Sequence, residues 1–387
     1  MPRNKSKNRK VCFVITSHIH YARSKLILQE LHRDQNVDLL IVVGASAILD
    51  PHGDVLSLLD RDGLPCHAKI HMVLEGGNPI AMAKTTGIGI MEFATAFDNL
   101  RPDIVIVRGD RYEVLAAAIA AAYLRISLAH IEGGDTTGNI DESVRHAITK
   151  LSHIHFTTND SAKKRVLAMG ENPRYVFNFG APELEFVAKN TFKVDNNYIN
   201  RIGVGDVIDI DKPFLIVMQH PVTSEQGRNR VHIEETLHAV HDLNIPTIWF
   251  WPNVDAGSDE ISRGIRSFRE KNKSQHMRFI KHLPGEEFIA LLKKSRCLVG
   301  NSSAGIKECS YLGIPVVNIG TRQDNRLRGK NVLDVGHNRE AIKKAIKKQI
   351  THGKYPKNTL YCKSNTCKNI VKTLKKSPLY TQKQFHG

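Results

Sequence analysis

Three phosphate-handling or nucleophilic signatures are missing from this chain. No GxGxxG follows its first apolar run, no GxxxxGK[ST] occurs anywhere, and there is no GxSxG elbow. A dinucleotide fingerprint, a P-loop and a hydrolase of the serine-elbow type are thereby set aside. Long apolar runs are also missing. The longest, Val114 to Leu124, is alanine-rich and about half a membrane span. The basic start MPRNKSKNRK leads into an apolar stretch too short for a signal-peptide core, and no small-residue cleavage site follows it. These features predict a solvated tail, a first strand and a cytoplasmic protein. Cysteine is sparse: Cys12, Cys66, Cys297, Cys309, Cys362 and Cys367 are scattered, mostly beside apolar runs, as reduced core thiols are. Cys362 and Cys367 have neither the spacing nor the second pair of a zinc site, so no metal is expected.

Acidic residues are outnumbered, 39 against 55 Lys and Arg in 387 residues, for a net charge of +16. Much of the excess lies in the first ten residues and after Arg322. A field of this sign favours anionic partners, whether nucleic acid, anionic lipid or a phosphorylated small molecule. The plain alternative is a solvated lysine face. Aromatic residues are scarce in these stretches, which argues against a single-strand stacking platform and a nucleic-acid partner.

What is present is a rhythm. VCFVIT (11–16), VDLLIVVG (37–44), DIVIVRGD (103–110), ISLAHIEGG (126–134) and HIHFTTN (153–159) read as strands, several apolar throughout. Helical patterns over Ala22–His32, Ile80–Asn99, Tyr112–Leu124, Glu142–Ser152 and Ala162–Met169 separate them. After a polar stretch, 189–213, the rhythm restarts with FLIVMQH, PTIWFWPN, RFIKHLP, CLVGNSS and IPVVNIG. The fold class predicted is α/β, two successive parallel-sheet halves joined by right-handed crossovers. The domains expected are 1–190, 191–365 and a terminal helix and tail, 366–387, able to pack back on the first.

In open parallel sheets ligands bind beyond the carboxyl ends of the strands. Those ends carry Gly109-Asp110-Arg111, His130 to Gly134, Gln219-His220-Pro221 and Asn301 to Gly305. The segment VGNSSAGIKE (299–308) reads as strand, small-residue turn and helix beginning near Ala304. It suits an anion at the helix start, with Glu308 able to accept from a ribose diol, or else a plain serine cap. Asp110, Glu132 and Asp141 form a carboxylate set. Asp141 or Asn139 has the competing reading of an N-cap, with Asp141 paired to Arg145 one turn on. None of the three is expected in the apolar core, so replacing one should spare folding. His220 at a strand mouth reads as an acid, a phosphate partner or a structural histidine.

Together GDRYEVLAAA (109–118), HIEGGDTTGNIDESVRHAITKLSHIHF (130–156), QHPVT (219–223), PNVDAGS (252–258), NSSAGIKE (301–308) and NIGTRQ (318–323) resemble the UDP-N-acetylglucosamine 2-epimerase family, specifically its hydrolysing branch. The resemblance runs from about residue 11 to 375. It implies a GT-B-like fold, two Rossmann-like domains around a UDP cleft, and a homodimer or homotetramer. It makes Asp110, Glu132, Asp141 and His220 the catalytic set. The reaction implied removes the proton on sugar carbon 2 as UDP leaves carbon 1, then adds water to a 2-acetamidoglycal. Ser302, Ser303, Arg322 and the helix after Ala304 would stabilise the leaving UDP, and Arg111, Arg145, Asn253, Lys281, His282 and Glu308 join the substrate-binding positions. No metal, nicotinamide or other cofactor is implied. The substrate expected is a UDP-N-acetylhexosamine, either UDP-GlcNAc or a 2,4-diacetamido-trideoxy analogue.

One departure stands out. Where the family carries an arginine just ahead of a tyrosine, this chain has His18-Ile19-His20-Tyr21, followed by Ala22-Arg23-Ser24. Two readings stand side by side: His18 faces the diphosphate as a titrating group, with Arg23 supplying fixed charge and Ser24 a polar contact, or the loop swings, His18 is solvated and another basic side chain covers the phosphate. Two alternatives within the fold are a non-hydrolysing epimerase and a GT-B glycosyltransferase. The EAGLR and HRREN segments of the non-hydrolysing branch do not occur here.

Overall fold

Strand β1 (Arg9–Ile15) shows how each sheet is buried on both faces. Val11, Phe13 and Ile15 enter one apolar cluster, while Cys12 and Val14, pointing the other way, enter a second. That alternation is the period of a strand, and both faces are apolar because helices cover both. The computed structural model describes residues 8–49, 54–75, 78–225, 227–253, 255–272 and 275–386. Residues 1–7 of the basic tail, expected to be solvated, lie outside them.

The first sheet has the order β3-β2-β1-β4-β5-β6-β7, with β2 Val37–Gly44, β3 Ala68–Ile70, β4 Ile104–Arg108, β5 Ser127–Ile131, β6 Ile154–Thr157 and β7 Val176–Asn178. Every pairing in it is parallel. Helices α1 (His18–Arg33), α2 (Val55–Arg61), α3 (Pro79–Leu100), α4 (Tyr112–Tyr123), α5 (Asp141–Leu151), α6 (Asp160–Ala168) and α7 (Pro182–Lys189) alternate with the strands or follow them.

The second sheet is β14-β13-β12-β9-β10-β11-β8. Its parallel strands are β9 (Leu215–Met218), β10 (Thr247–Phe250), β11 (Met277–Ile280), β12 (Cys297–Gly300), β13 (Val316–Ile319) and β14 (Val332–Val335). Leu215 and Val217 face one core cluster, Ile216 the other. Each such side chain removed from water contributes about 1.5–3 kcal/mol before entropy is counted. The stretch 189–213, read as a polar break, in fact carries α8 (Asn196–Arg201) and β8 (Val204–Gly205), which pairs antiparallel with β11. Ile199, Ile208 and Ile210 anchor this stretch in the second core. The remaining helices are α9 (Asn229–Leu243), α10 (Ser258–Lys271), α11 (Gly285–Lys294), α12 (Ser303–Ile306), α13 (Glu308–Leu312), α14 (Arg339–His352) and α15 (Thr366–Lys376).

The final helix returns to the first half. Cys367, Ile370, Val371 and Leu374 of α15 lie in the cluster that holds Val11 and Phe13. Arg9 donates to the Ser377 carbonyl at 3.0 Å, closing the same seam. On α14 the lysines Lys344, Lys347 and Lys348 are exposed and Lys343 half-buried, so this part of the positive excess is a solvated helix face. All six cysteines are free thiols.

Candidate functional site

Both sheets change direction in the same place. In the first, the chain goes from β1 to β2 on one side while β4 pairs on the other; in the second, β9 has β10 on one side and β12 on the other. The order is the doubly wound one in both, and crevices open at the carboxyl ends of β1/β4 and β9/β12. A cavity of about 1640 Å³ lies against both pairs of strand ends.

On the first-domain side it is lined by Arg23, Asp110, Arg111, Glu132, Asp141 and Arg145. On the other side are His220, Asn253, Lys281 and His282, with Ser302, Ser303, Glu308 and Arg322 at the far end of the wall. Ser24 does not line it; its side chain is buried, and its hydroxyl has no hydrogen-bond partner among the described residues.

Glu132 follows β5 with φ +73, a left-handed backbone that costs a non-glycine residue energy and is held only by its surroundings. The next two residues explain how it is held. Gly134 has φ +80, and a Cβ there would sit 2.3 Å from the Ala162 carbonyl oxygen. With the turn fixed, the Glu132 carboxylate accepts from Arg108 Nε at 2.9 Å and from the Lys307 ammonium across the interdomain boundary. Arg108 also binds Glu183, and Lys307 reaches Glu183 at 3.2 Å. Burial would raise the proton affinity of Glu132, but the Arg108 and Lys307 charges outweigh it and hold the carboxyl well below its usual range. The same balance puts Glu183 at about 2. Glu132 is thus part of a buried ion network, and its replacement is expected to cost stability where the sequence reading expected folding to be spared.

Asp110 sits at the end of β4 and pairs with Arg145, whose Nη1 also donates to the Asp135 carbonyl at 2.8 Å. The pairing read from the sequence was Arg145 with Asp141; the structure gives Arg145 to Asp110 instead. Asp141 opens α5 and accepts from Asn139 Nδ2 at 2.8 Å. Neither Asp141 nor Asn139 is the cap: that position is Ile140, with no side-chain cap bond. Burial, then the nearby Asp255 charge, push the Asp141 carboxyl upward against Arg322. Asp255 itself is held low, since burial is outweighed by Arg111 and Arg322. Arg111 Nη1 donates to Asp255 at 2.7 Å and its Nε to Glu113 at 3.1 Å.

His220 Nδ1 accepts from the Asn253 backbone N–H at 3.2 Å, which leaves Nε2 as the protonated nitrogen of the neutral ring. Burial, reinforced by Arg322 and Arg111, lowers its pKa to about 3. Its backbone is clasped by Asn301, whose Oδ1 accepts from His220 N at 2.7 Å and whose Nδ2 donates to His220 O at 2.8 Å.

After β12, Ser302 does cap, accepting from Ala304 N at 3.3 Å. The helix begins at Ser303, not Ala304, and breaks after one turn: Lys307 has φ −101 and ψ −67. Glu308 opens a separate segment, so a long dipole behind the serines is not what an anion meets there. Arg23 instead reaches over from α1, donating to Glu308 Oε1 at 2.8 Å and to Ser303 Oγ at 3.0 Å. His18 lines the cavity with its ring 5.7 Å from that of His282. Burial, then the neighbouring His282, lower its pKa to about 4, so the ring is neutral at neutral pH before any anion enters the cavity.

The family model for UDP-N-acetylglucosamine 2-epimerase matches residues 29–375. The chain belongs to that family. It is 32% identical over 374 residues to the UDP-N,N'-diacetylbacillosamine 2-epimerase (hydrolyzing) of Legionella pneumophila, covering 97% of each chain. It is 30% identical over 337 residues to the UDP-N-acetylglucosamine 2-epimerase of Neisseria meningitidis serogroup B, covering 87% of this chain and 86% of that one. The crystal structure of UDP-GlcNAc 2-epimerase from Neisseria meningitidis bound to UDP-GlcNAc superposes with a TM-score of 0.76 at 19% identity, over 95% of this chain and 100% of that one. That last likeness establishes the fold, a GT-B-like pair of α/β domains. Among the described residues no helix is long and apolar enough to cross a membrane.

Several charged residues at the site were not singled out from the sequence. Arg108 closes the apolar run DIVIVR, and a charge ending a doubly covered strand is a signal in itself. Asp255 lay inside PNVDAGS and Lys307 inside NSSAGIKE without a role. Glu183 had no signal beyond its place in a helical start.

Proposed function

We propose that the chain is a hydrolysing UDP-N-acetylhexosamine 2-epimerase acting on UDP-GlcNAc or its 2,4-diacetamido-trideoxy analogue. The observation that carries the reading is the pair of opposed strand-end clusters on one cavity: carboxylates Asp110, Glu132 and Asp141 on one domain, His220 and Arg322 on the other. The names of the Legionella and Neisseria relatives both support 2-epimerisation, that of the Legionella relative alone supports hydrolysis, and together they leave both sugars open.

The chemistry divides by charge. Glu132, clamped between Arg108 and Lys307, is a poor proton acceptor and orients the cationic groups around it. Asp141, with its raised proton affinity, is the better-matched base for the carbon 2 proton. As that proton goes to Asp141, the carbon 1–oxygen bond breaks, the electron pair leaves with UDP and a carbon 1–carbon 2 double bond forms. Arg322 and the neutral His220 Nε2–H offer donors to the departing phosphate oxygens. Water then adds its oxygen to carbon 1 and a proton returns to carbon 2 on the opposite face, giving UDP and the free 2-epimer. To Asp110, held by Arg145, we assign the water step.

Proton NMR in deuterium oxide with each UDP-sugar tests this directly. Free 2-epimer carrying deuterium at carbon 2, with UDP released, is expected from at least one of them. A UDP-linked epimer, or no turnover until a sugar acceptor is supplied, would replace the reading by the non-hydrolysing or the transferase one.

A further inference from the structure

Away from the cavity, three side chains converge in the second domain. Glu225 lies in the turn between β9 and α9, His232 is one turn into α9, and His337 follows β14. Glu225 Oε2 is 3.2 Å from His232 Nδ1 and 3.7 Å from His337 Nε2, and one candidate ligand atom from each residue lies within 4.8 Å of the other two. The group is largely shielded, with side chains 14–21% exposed. Yet Glu225 Oε2, His232 Nδ1 and both His337 ring nitrogens have no well-formed hydrogen bond among the described residues. Shielded polar atoms are ordinarily satisfied, so four in one spot need an explanation.

The neighbouring structure is built around this group. Glu225 Oε1, the oxygen turned away from the histidines, accepts from Thr321 Oγ1 at 2.6 Å. A hydrogen bond to the second oxygen of a carboxylate is what orients a metal-binding one. The His337 ring lies against Gly320, where a Cβ would stand 2.3 Å from Nε2, so any side chain there would push the ring out of its place. The two imidazoles are stacked, centroids 3.7 Å apart and planes within 4°.

We propose that Glu225, His232 and His337 form a binding site for a divalent cation of the zinc class, outside the catalytic cavity. Two imidazole nitrogens and one carboxylate suit that class, leaving a fourth position for water. At ligand distances of about 2.0–2.2 Å, the edge of a tetrahedron is about 3.3–3.6 Å, and the two carboxylate–imidazole separations bracket it. Because the rings are parallel, one must turn about its Cβ–Cγ bond for both lone pairs to meet one ion. None of the three residues lines the catalytic cavity. Thr321 immediately precedes Arg322, so the bound ion would brace the loop that presents this arginine.

The full-length protein, stripped with chelator and exchanged into chelator-free buffer, is titrated with zinc chloride by calorimetry. It is titrated in parallel with cobalt(II), read as visible d–d absorption. One ion per chain, tetrahedral cobalt bands and a zinc-dependent rise in melting temperature are expected. His337→Ala should lose the bands and the melting shift. Thr321→Val keeps all three ligands, remains informative if the histidine variant misfolds, and should weaken zinc binding on the order of tenfold. Absence of stoichiometric binding to the wild type, or equal binding by Thr321→Val and a folded His337→Ala, would overturn the site.

Discussion

Lys307 of the second domain ends inside the first, its ammonium on the Glu132 carboxylate and 3.2 Å from Glu183. Its side chain is fully buried, and the helix that bears it breaks there. The charge is compensated only while the domains are closed on one another, so this ion network is a latch as well as a scaffold for the site. Lys307→Met removes the cation and leaves two buried carboxylates with Arg108 as their one directly paired cation and Arg23 farther off. Such a break should cost about 3–5 kcal/mol of stability. Urea unfolding of the purified variant measures it; a loss below about 1 kcal/mol would mean the domains find another way to pay for those charges.

Acid should act on the same latch. Glu183 stands at about 2 in the folded chain against an ordinary 4.5, and Glu132 is also held well below that value. A depressed folded pKa contributes stability that is complete above the unfolded value and lost as pH falls toward the folded one. The buried histidines His18 at about 4 and His220 at about 3, against 6.5 unfolded, act with the same sign at higher pH. Melting temperature should therefore decline first below about pH 6.5 and more steeply below about 4.5. Lys307→Met should blunt the second stage only.

The doubly covered strands made most of the fold legible: VDLLIVVG is β2 without adjustment, and the strand ends pointed to Asp110, Glu132, His220 and Ser302. Strands at the sheet edges escaped. Ala68–Ile70 and Val176–Asn178 have three residues each, too few for a period to show, and Val332–Val335 is only half-buried and carries the exposed Asp334. Pairings were the least legible part. Local spacing gave Arg145 to Asp141, four residues away, whereas the fold brings in Asp110 from 35 residues off. Lys307 meets Glu132 across 175 residues, a distance over which sequence carries no pairing signal.

Arg322 should matter more for UDP than Ser303. Its Nε is buried without a hydrogen-bond partner among the described residues, while its Nη1 donates to the Asn301 carbonyl at 3.2 Å and its Nη2 lies 3.8 Å from the Asp255 carboxylate. The Ser303 hydroxyl already accepts from Arg23. Arg322→Ala should weaken UDP by about 1–3 kcal/mol, and Ser303→Ala toward the lower end of that range. Calorimetric titration with UDP ranks them; the reverse order would mean that the serine turn, not the arginine, carries the phosphate.

His18 is expected to contribute no titration. With its pKa near 4 it is neutral from pH 6 to 8. UDP affinity over that range should follow phosphate ionisation alone, giving wild type and His18→Gln the same pH profile. His18→Arg introduces a fixed cation and should tighten UDP at every pH without changing the profile's shape. A wild-type affinity that falls from pH 6 to 8 more steeply than His18→Gln would show that the imidazole is protonated on the bound diphosphate after all.

The assignment of the base rests on Asp141 and can be tested through its neighbour. A base must be unprotonated to take the carbon 2 proton, so kcat falls as pH drops through the Asp141 pKa in the bound complex. Burial and the Asp255 charge raise that pKa, while Arg322, Asn139 and Arg111 lower it. Asp255→Asn removes the like charge and frees Arg111 and Arg322 from their carboxylate, two changes of the same sign. The acidic limb of kcat should move to lower pH, and the plateau should fall because the carboxylate becomes a weaker base. Asp141→Asn should lower the plateau by about a hundredfold or more and abolish the limb. Asp110→Asn, by contrast, should lower the plateau and leave the limb in place, because its carboxylate is already neutralised by Arg145. Reading kcat, not kcat/KM, keeps any loss of UDP affinity caused by the freed Arg111 out of the comparison. An acidic limb that Asp255→Asn leaves unmoved, or shifts upward, would take the base role from Asp141.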